Sequence, residues 1–150
     1  MAHDRDVAAF GERAPGYENG WLGKLHHDIA DRTADLALSR CPAPRRILDV
    51  GCGTGYLLRE LAARVLAAAE LAGIDAAPAM IETASAAARD DRLRFSEAAA
   101  ERIPFPAGTF GLVVATTSFD HWADQQAGLT ECARVLTPGG HLVLVDQFSA

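Results

Sequence analysis

Lysine is almost missing from this chain: of its 14 basic residues only Lys24 is a lysine, set against 20 acidic residues and a net charge of −6. Nucleic-acid binding needs several cations on one face to release counterions, and no basic cluster exists here, so nucleic acid is excluded as an electrostatic partner. Long apolar runs are missing too. None approaches the ~18 residues of a membrane-crossing helix, so no membrane partner is expected. The opening residues, Met1-Ala2-His3-Asp4-Arg5-Asp6, hold neither a basic nor an apolar signal region. Cysteine is scarce. Cys41, Cys52 and Cys132 are scattered without metal-ligand spacing, which suits a reducing cytoplasm. Repeats and linkers are absent. What remains is a chain of 150 residues, 49% apolar, long enough for one domain with a buried core.

The periodicity of that apolar content alternates between helix and strand. Residues 25–39 place Leu25, Ile29, Leu36 and Ala37 on one helical face, and Pro42 and Pro44 end that segment. Residues 46–50 read as a buried strand, 56–69 as a helix carrying Leu58, Leu61, Val65 and Leu66, and 71–75 as a second strand. Pro78 opens a further helix, with Met80, Ile81, Ala84 and Ala88 facing inward. Leu93-Arg94-Phe95 and Phe110 to Thr116 are strands. Asp124 caps a helix holding Leu129, Cys132, Ala133, Val135 and Leu136, which stops at Thr137-Pro138-Gly139-Gly140; His141 to Phe148 is the last strand. Strands alternating with helices imply an α/β protein with a parallel sheet, and runs such as Leu142-Val143-Leu144-Val145 imply burial on both faces.

The densest information lies in Ile47-Leu48-Asp49-Val50-Gly51-Cys52-Gly53-Thr54-Gly55. A strand meets an acid, then a loop with glycine at alternate positions, then a helix. Such a turn is expected to bring bare N–H groups to a ligand, and side chains at 51, 53 and 55 would block the approach. A pyrophosphate gains nothing from the carboxylate of Asp49, whereas an ammonium group does. The dinucleotide-binding pattern also wants a third glycine where Tyr56 stands.

Four further motifs follow in order: Gly73-Ile74-Asp75 with Met80-Ile81, Ile103-Pro104-Phe105-Pro106, Phe110 through Val114, and Arg134 through His141. With these the chain resembles the class I S-adenosylmethionine-dependent methyltransferases, in the small-molecule group that includes the ubiquinone/menaquinone methyltransferases, over roughly residues 10–148. The resemblance implies a Rossmann-like doubly wound sheet in three α/β/α layers, and transfer of a methyl group from S-adenosylmethionine to a small-molecule acceptor. It implies that Gly51, Gly53 and Gly55 form the loop beside the methionine part of the cofactor, that Asp49 favours its cationic end, and that Asp75 accepts the ribose hydroxyls. Ala76 and Met80 would flank the adenine, Ala100 would offer it a backbone N–H, and Thr116 and Thr117 would meet the amino group. Residues 1–40 would form a helical lid, with Tyr17 and Trp21, over a cofactor-binding unit at 41–150.

The chain departs from that pattern at Ala99, Gly111 and Ala77, each removing a polar group, and a lost helix cap costs ~0.5–2 kcal/mol. Relative to the family it stops before the usual C-terminal antiparallel hairpin. That departure motivates three readings: a non-catalytic remnant, a piece of a longer enzyme, or a homo-oligomer pairing through the exposed strand 141–148, testable with Val143→Lys. His121 and Tyr17 are the candidates for taking a proton from the acceptor. The bland readings also stand: Asp75 as a solvated strand end, His121 in a helix-entry turn, His26-His27-Asp28 as a solvated helix face, and an inert Cys52. A magnesium site at Asp120 and Asp146-Gln147 lacks ligands, so no metal is expected. Asp75→Ala is expected to weaken cofactor binding and leave folding nearly untouched.

Overall fold

The computed structural model describes residues 20–146. Its elements are α1 (Trp21–Arg40), β1 (Arg46–Val50), α2 (Tyr56–Arg64), β2 (Glu70–Asp75), α3 (Pro78–Ala87), β3 (Leu93–Glu97), β4 (Phe110–Thr116), a short 3-10 turn (Phe119–His121), α4 (Gln125–Val135) and β5 (Leu136–Val145). The strands form one five-stranded sheet in the order β3-β2-β1-β4-β5, and every neighbouring pair is parallel. The chain builds outward from β1 through β2 and β3, then returns to the other side of β1 for β4 and β5. Ligand crevices in such sheets lie at this reversal, beyond the C-terminal strand ends.

Period-two alternation distributes the strand side chains between two cores. Ile47, Leu112 and Val114 pack with α1 and α2 on one face, while Leu48, Val50, Val113 and Ala115 pack with α4 on the other. Both faces are thus buried, which explains the uninterrupted apolar runs. Asp49 falls in step with Ile47, so its carboxylate lies on the face that α1 and α2 cover; the residue is 1% exposed.

Three expectations about the elements need correction. In α1 the inward stripe is Ala30, Thr33, Ala34 and Ala37, and Leu36 is 46% exposed. Small side chains let the helix lie close to the sheet, and the bulkier Leu36 is left outside; the Thr33 hydroxyl is satisfied by the Ile29 carbonyl at 2.8 Å. Next, α2 ends at Arg64 and not at 69. The Arg92 guanidinium donates to the carbonyls of Ala62 and Val65 at 2.8 Å and of Ala68 at 3.1 Å, closing the helix and the turn after it, and Leu66 is 81% exposed. Last, Thr137-Pro138-Gly139-Gly140 lies inside β5. Leu136 pairs with Phe110, and the register slips before His141 pairs with Leu112, a bulge that Gly139 accommodates at φ +78°.

Among the described residues β5 is one edge of the sheet. Val143 is 8% exposed and belongs to the α1-side core. A lysine there would break the core as well as any edge pairing, so Val143→Lys does not isolate self-association.

Candidate functional site

A cavity opens beyond the C-terminal ends of β1, β2, β3 and β4. The turn after β1 contributes Gly51 and Gly53, with Asp49 beneath them. The turn after β2 contributes Asp75, Ala76 and, at the start of α3, Met80. The segment after β3 contributes Ala100. Thr116 and Thr117 come from the end of β4, and His121 from the 3-10 turn. Every one of these residues was read from the sequence as a site candidate, and the structure brings them to one place. Gly55 stands behind the wall and does not line the cavity: it takes φ +86°, and a Cβ there would meet the Phe95 ring at 2.9 Å. Tyr17 lies outside the described residues.

The glycines act for different reasons. Gly51 (φ +76°) lies so close to Ser118 that a Cβ would sit 2.5 Å from its Cβ, and the Ser118 hydroxyl donates to the Val50 carbonyl at 3.0 Å. Gly53 (φ +55°) has nothing within 4 Å of a Cβ position. That is room a ligand can occupy. The loop's N–H groups, however, are not bare. Those of Gly51 and Cys52 donate to the Ile74 carbonyl at 2.8 and 2.9 Å, that of Gly55 to the Cys52 carbonyl at 3.0 Å, and that of Gly53 to Asp75 Oδ2 at 2.9 Å. The expected cradle of free donors is corrected on this point: three of these hold the loop to β2, and the fourth closes the loop on itself.

Asp75 therefore has a structural role as well. Its Oδ1 accepts from the Ala77 N–H at 2.9 Å and its Oδ2 from Gly53, so one carboxylate fastens the turn after β2 to the glycine loop. Its removal would loosen both, which overturns the expectation that folding would be untouched. The helix itself keeps no side-chain cap, because the side chain of Ala77 cannot accept a hydrogen bond; Asp75 holds the Ala77 N–H and not the helix's orphan donors.

The electrostatics are one-sided. Asp49, Asp75 and Glu101 line the cavity with three histidines, and among the described residues no lysine or arginine lines it. Burial pushes the Asp49 carboxyl up to about 8, with the charge of Asp75 adding to it. Burial also raises Asp75, against the pull of the Ala77 and Gly53 N–H groups. The Cys52 thiol is pushed well up by burial and by both carboxylates, so it is not a nucleophile. Among the described residues, two buried side-chain polar atoms lack a partner, Asp49 Oδ1 and His27 Nε2, and both residues line this cavity. Buried polar groups are nearly always paired, so two orphans in one cavity mark a place for a polar ligand.

Sequence reasoning missed the histidines of α1. His26 and His27 are not a solvated face; both reach the cavity. His26 Nδ1 lies 3.4 Å from Thr117 Oγ1, and burial, then the neighbouring His27, lowers its pKa. Thr117 is the one non-glycine residue with positive φ among those described, at +53°, a conformation that clusters at functional sites. A signal was present: His26 continues the stripe Ala30-Ala34-Ala37 at helical spacing. Asp28 alone fits the solvated reading, pairing with Arg32 at 3.3 Å on the surface.

A parallel sheet reversed at its central strand, with an acid-floored glycine loop at the reversal, defines the Rossmann-like α/β class. The chain belongs to the methyltransferase domain family, which matches residues 48–144. It is 42% identical over 144 residues to the demethylmenaquinone methyltransferase of Thermus thermophilus, covering 91% of this chain and 63% of that protein. It is 38% identical over 133 residues to the enzyme of the same name from Deinococcus radiodurans, covering 87% of this chain and 51% of that one. Among solved structures it resembles a complex of the Haloferax volcanii Trm112 methyltransferase activator with its methyltransferase, with TM-score 0.77 and 30% identity over 90% of this chain and 58% of that chain. The chain thus spans between about half and three fifths of the length of these proteins. No described helix is long and apolar enough to cross a membrane.

Proposed function

We propose that this chain binds S-adenosylmethionine in the acidic cavity and transfers its methyl group to a small-molecule acceptor in the cytoplasm. The observation that carries the reading is the buried Asp49 carboxyl, whose Oδ1 has no partner, in a cavity whose described lining holds no lysine or arginine. A cationic ligand relieves such a group. A dinucleotide, with its anionic pyrophosphate, meets carboxylates and a loop whose donors at 51, 52, 53 and 55 are already engaged. The residues present fit the cofactor: open space at Gly53, Asp75 with lone pairs left for ribose hydroxyls, and the apolar Ala76 and Met80 for a flat base.

When bound, the cofactor supplies a methyl group on a positively charged sulfur, already electrophilic. The chain's work is then positioning and the exclusion of water. Asp49 holds the ammonium end, Asp75 the ribose, and the start of α1 covers the cavity as a lid. His121, on the rim, takes the proton that the acceptor releases. The relatives' names make a demethylated quinone, in its reduced form, the first acceptor to assay. The reading includes a second copy of the chain as the partner of β5, whose place at the sheet edge supports it. The test is thermal melting with added ligands. S-adenosylhomocysteine at 100 times its Kd adds about 2.7 kcal/mol and raises the melting temperature, and NAD leaves it unchanged. Stabilisation by NAD and not by S-adenosylhomocysteine would overturn the assignment.

A further inference from the structure

A cationic group on the ligand accounts for one orphaned atom of the cavity, Asp49 Oδ1, and leaves the other, His27 Nε2, unexplained. The His27 ring is not loosely held. It stacks on Tyr56 with centroids 3.8 Å apart and planes 9° from parallel, and the Tyr56 hydroxyl donates to Asp31 Oδ1 at 2.9 Å, one turn further along α1. A ring held this way stands between α1 and the first residue of α2, and His27 lines the same cavity as Gly51 and Gly53. Strand alternation puts Asp49 on the same side of the sheet, under α1.

We infer that His27 and Asp49 are the two poles of a receptor for the α-amino-acid end of the ligand, with the His27 Nε2–H donating to the carboxylate while Asp49 takes the ammonium. The inference rests on the methyl-donor reading and adds a residue to it. A ligand carrying an amino-acid group brings a carboxylate into a cavity already lined by Asp49, Asp75 and Glu101. Buried there without a donor, that carboxylate would be strongly disfavoured. The N–H groups of Gly51, Cys52, Gly53 and Gly55 already donate within the protein, so the glycine loop does not supply the donors. The described lining offers no lysine or arginine. The imidazole of His27 supplies a donor in its Nε2–H tautomer and in its protonated form. In the free protein its Nε2 is covered, so binding requires a small shift at the start of α1, the part of the helix ahead of the Ala30-Ala34-Ala37 stripe that packs into the core.

Titration calorimetry with two adenosine thioethers tests this. S-adenosylhomocysteine carries the amino-acid group, and 5′-methylthioadenosine lacks it. His27→Phe keeps a ring to stack on Tyr56 and removes the donor. The expected result is an affinity for S-adenosylhomocysteine at least tenfold weaker, with that for 5′-methylthioadenosine unchanged; His27→Gln, which restores a donor near the Nε2 position, recovers part of the loss. A merely structural role would weaken both ligands alike. A His27→Phe protein that binds S-adenosylhomocysteine as tightly as the parent, or loses both ligands equally, overturns the inference and leaves the methyl-donor reading standing. A parent that binds neither ligand overturns that reading, and this inference with it.

Discussion

At Asp49 the free protein holds an acid that the solvated chain would ionise. Its carboxyl is pushed up to about 8, from an ordinary 3.8, by burial and by Asp75. The sign follows from proton linkage. The folded state keeps the proton to higher pH than the unfolded state does, so the Asp49 contribution to the free protein's stability is greatest below about 4 and falls as pH rises toward about 8. Asp49→Asn, isosteric and neutral, is expected to raise stability without ligand by roughly 2–4 kcal/mol at pH 7, with the gain vanishing near pH 4. Melting curves of parent and variant across that range check it; a variant no more stable than the parent at pH 7 contradicts the account of a carboxylate kept under strain for a ligand. The position of Asp49, before the first glycine, made it legible in the sequence. His27 was not, because adjacent histidines diverge on a helix and nothing local says that both reach one cavity. The second task of Asp75 was equally hidden, since its partners Gly53 and Ala77 are set by how two separate turns meet.

At the scale of elements, the order of strands and helices was readable from hydrophobic periodicity, and their ends were less so. The C-terminal end of α2 and the wall after β3 are fixed by arginines distant in sequence. Arg92 closes α2 from 27 residues beyond Val65. Arg134 on α4 donates to the carbonyls of Ile103 and Phe105, each at 2.9 Å, while Glu131 accepts the Ile103 N–H at 2.9 Å. The Ile103-Pro104-Phe105-Pro106 and Arg134 motifs, separate in the chain, are thus one clamp on the segment that follows the cavity wall at Ala100. Arg134→Ala is expected to lower the melting temperature by a few degrees and to speed amide exchange at Ile103. Arg134→Lys should not restore it, because one ammonium cannot span two carbonyls and a carboxylate as a guanidinium fork does. Unchanged exchange at Ile103 in the alanine variant would show that the clamp does not hold the wall. Asp124 was the cap easiest to foresee, and its side chain does accept from the Ala127 N–H at 3.0 Å.

For the whole molecule, five parallel strands reversed at β1 gather residues from 26 to 122 around one acidic cavity. Strand topology was within reach of the sequence because βαβ units leave few alternatives. The chemistry of the lining was legible in part: Asp49, Asp75 and His121 were read from the sequence, whereas His26, His27 and Glu101 join them through the way separate elements meet. The central claim is that this cavity receives a methyl donor with its ammonium at Asp49 and its ribose at Asp75. The most direct measurement is a crystal structure of the chain with S-adenosylhomocysteine at saturating concentration. The account predicts ligand density beyond the ends of β1 and β2, with the amino group against Asp49 and both ribose hydroxyls within hydrogen-bond distance of Asp75. Density at another place, or an empty cavity at saturation, would contradict it.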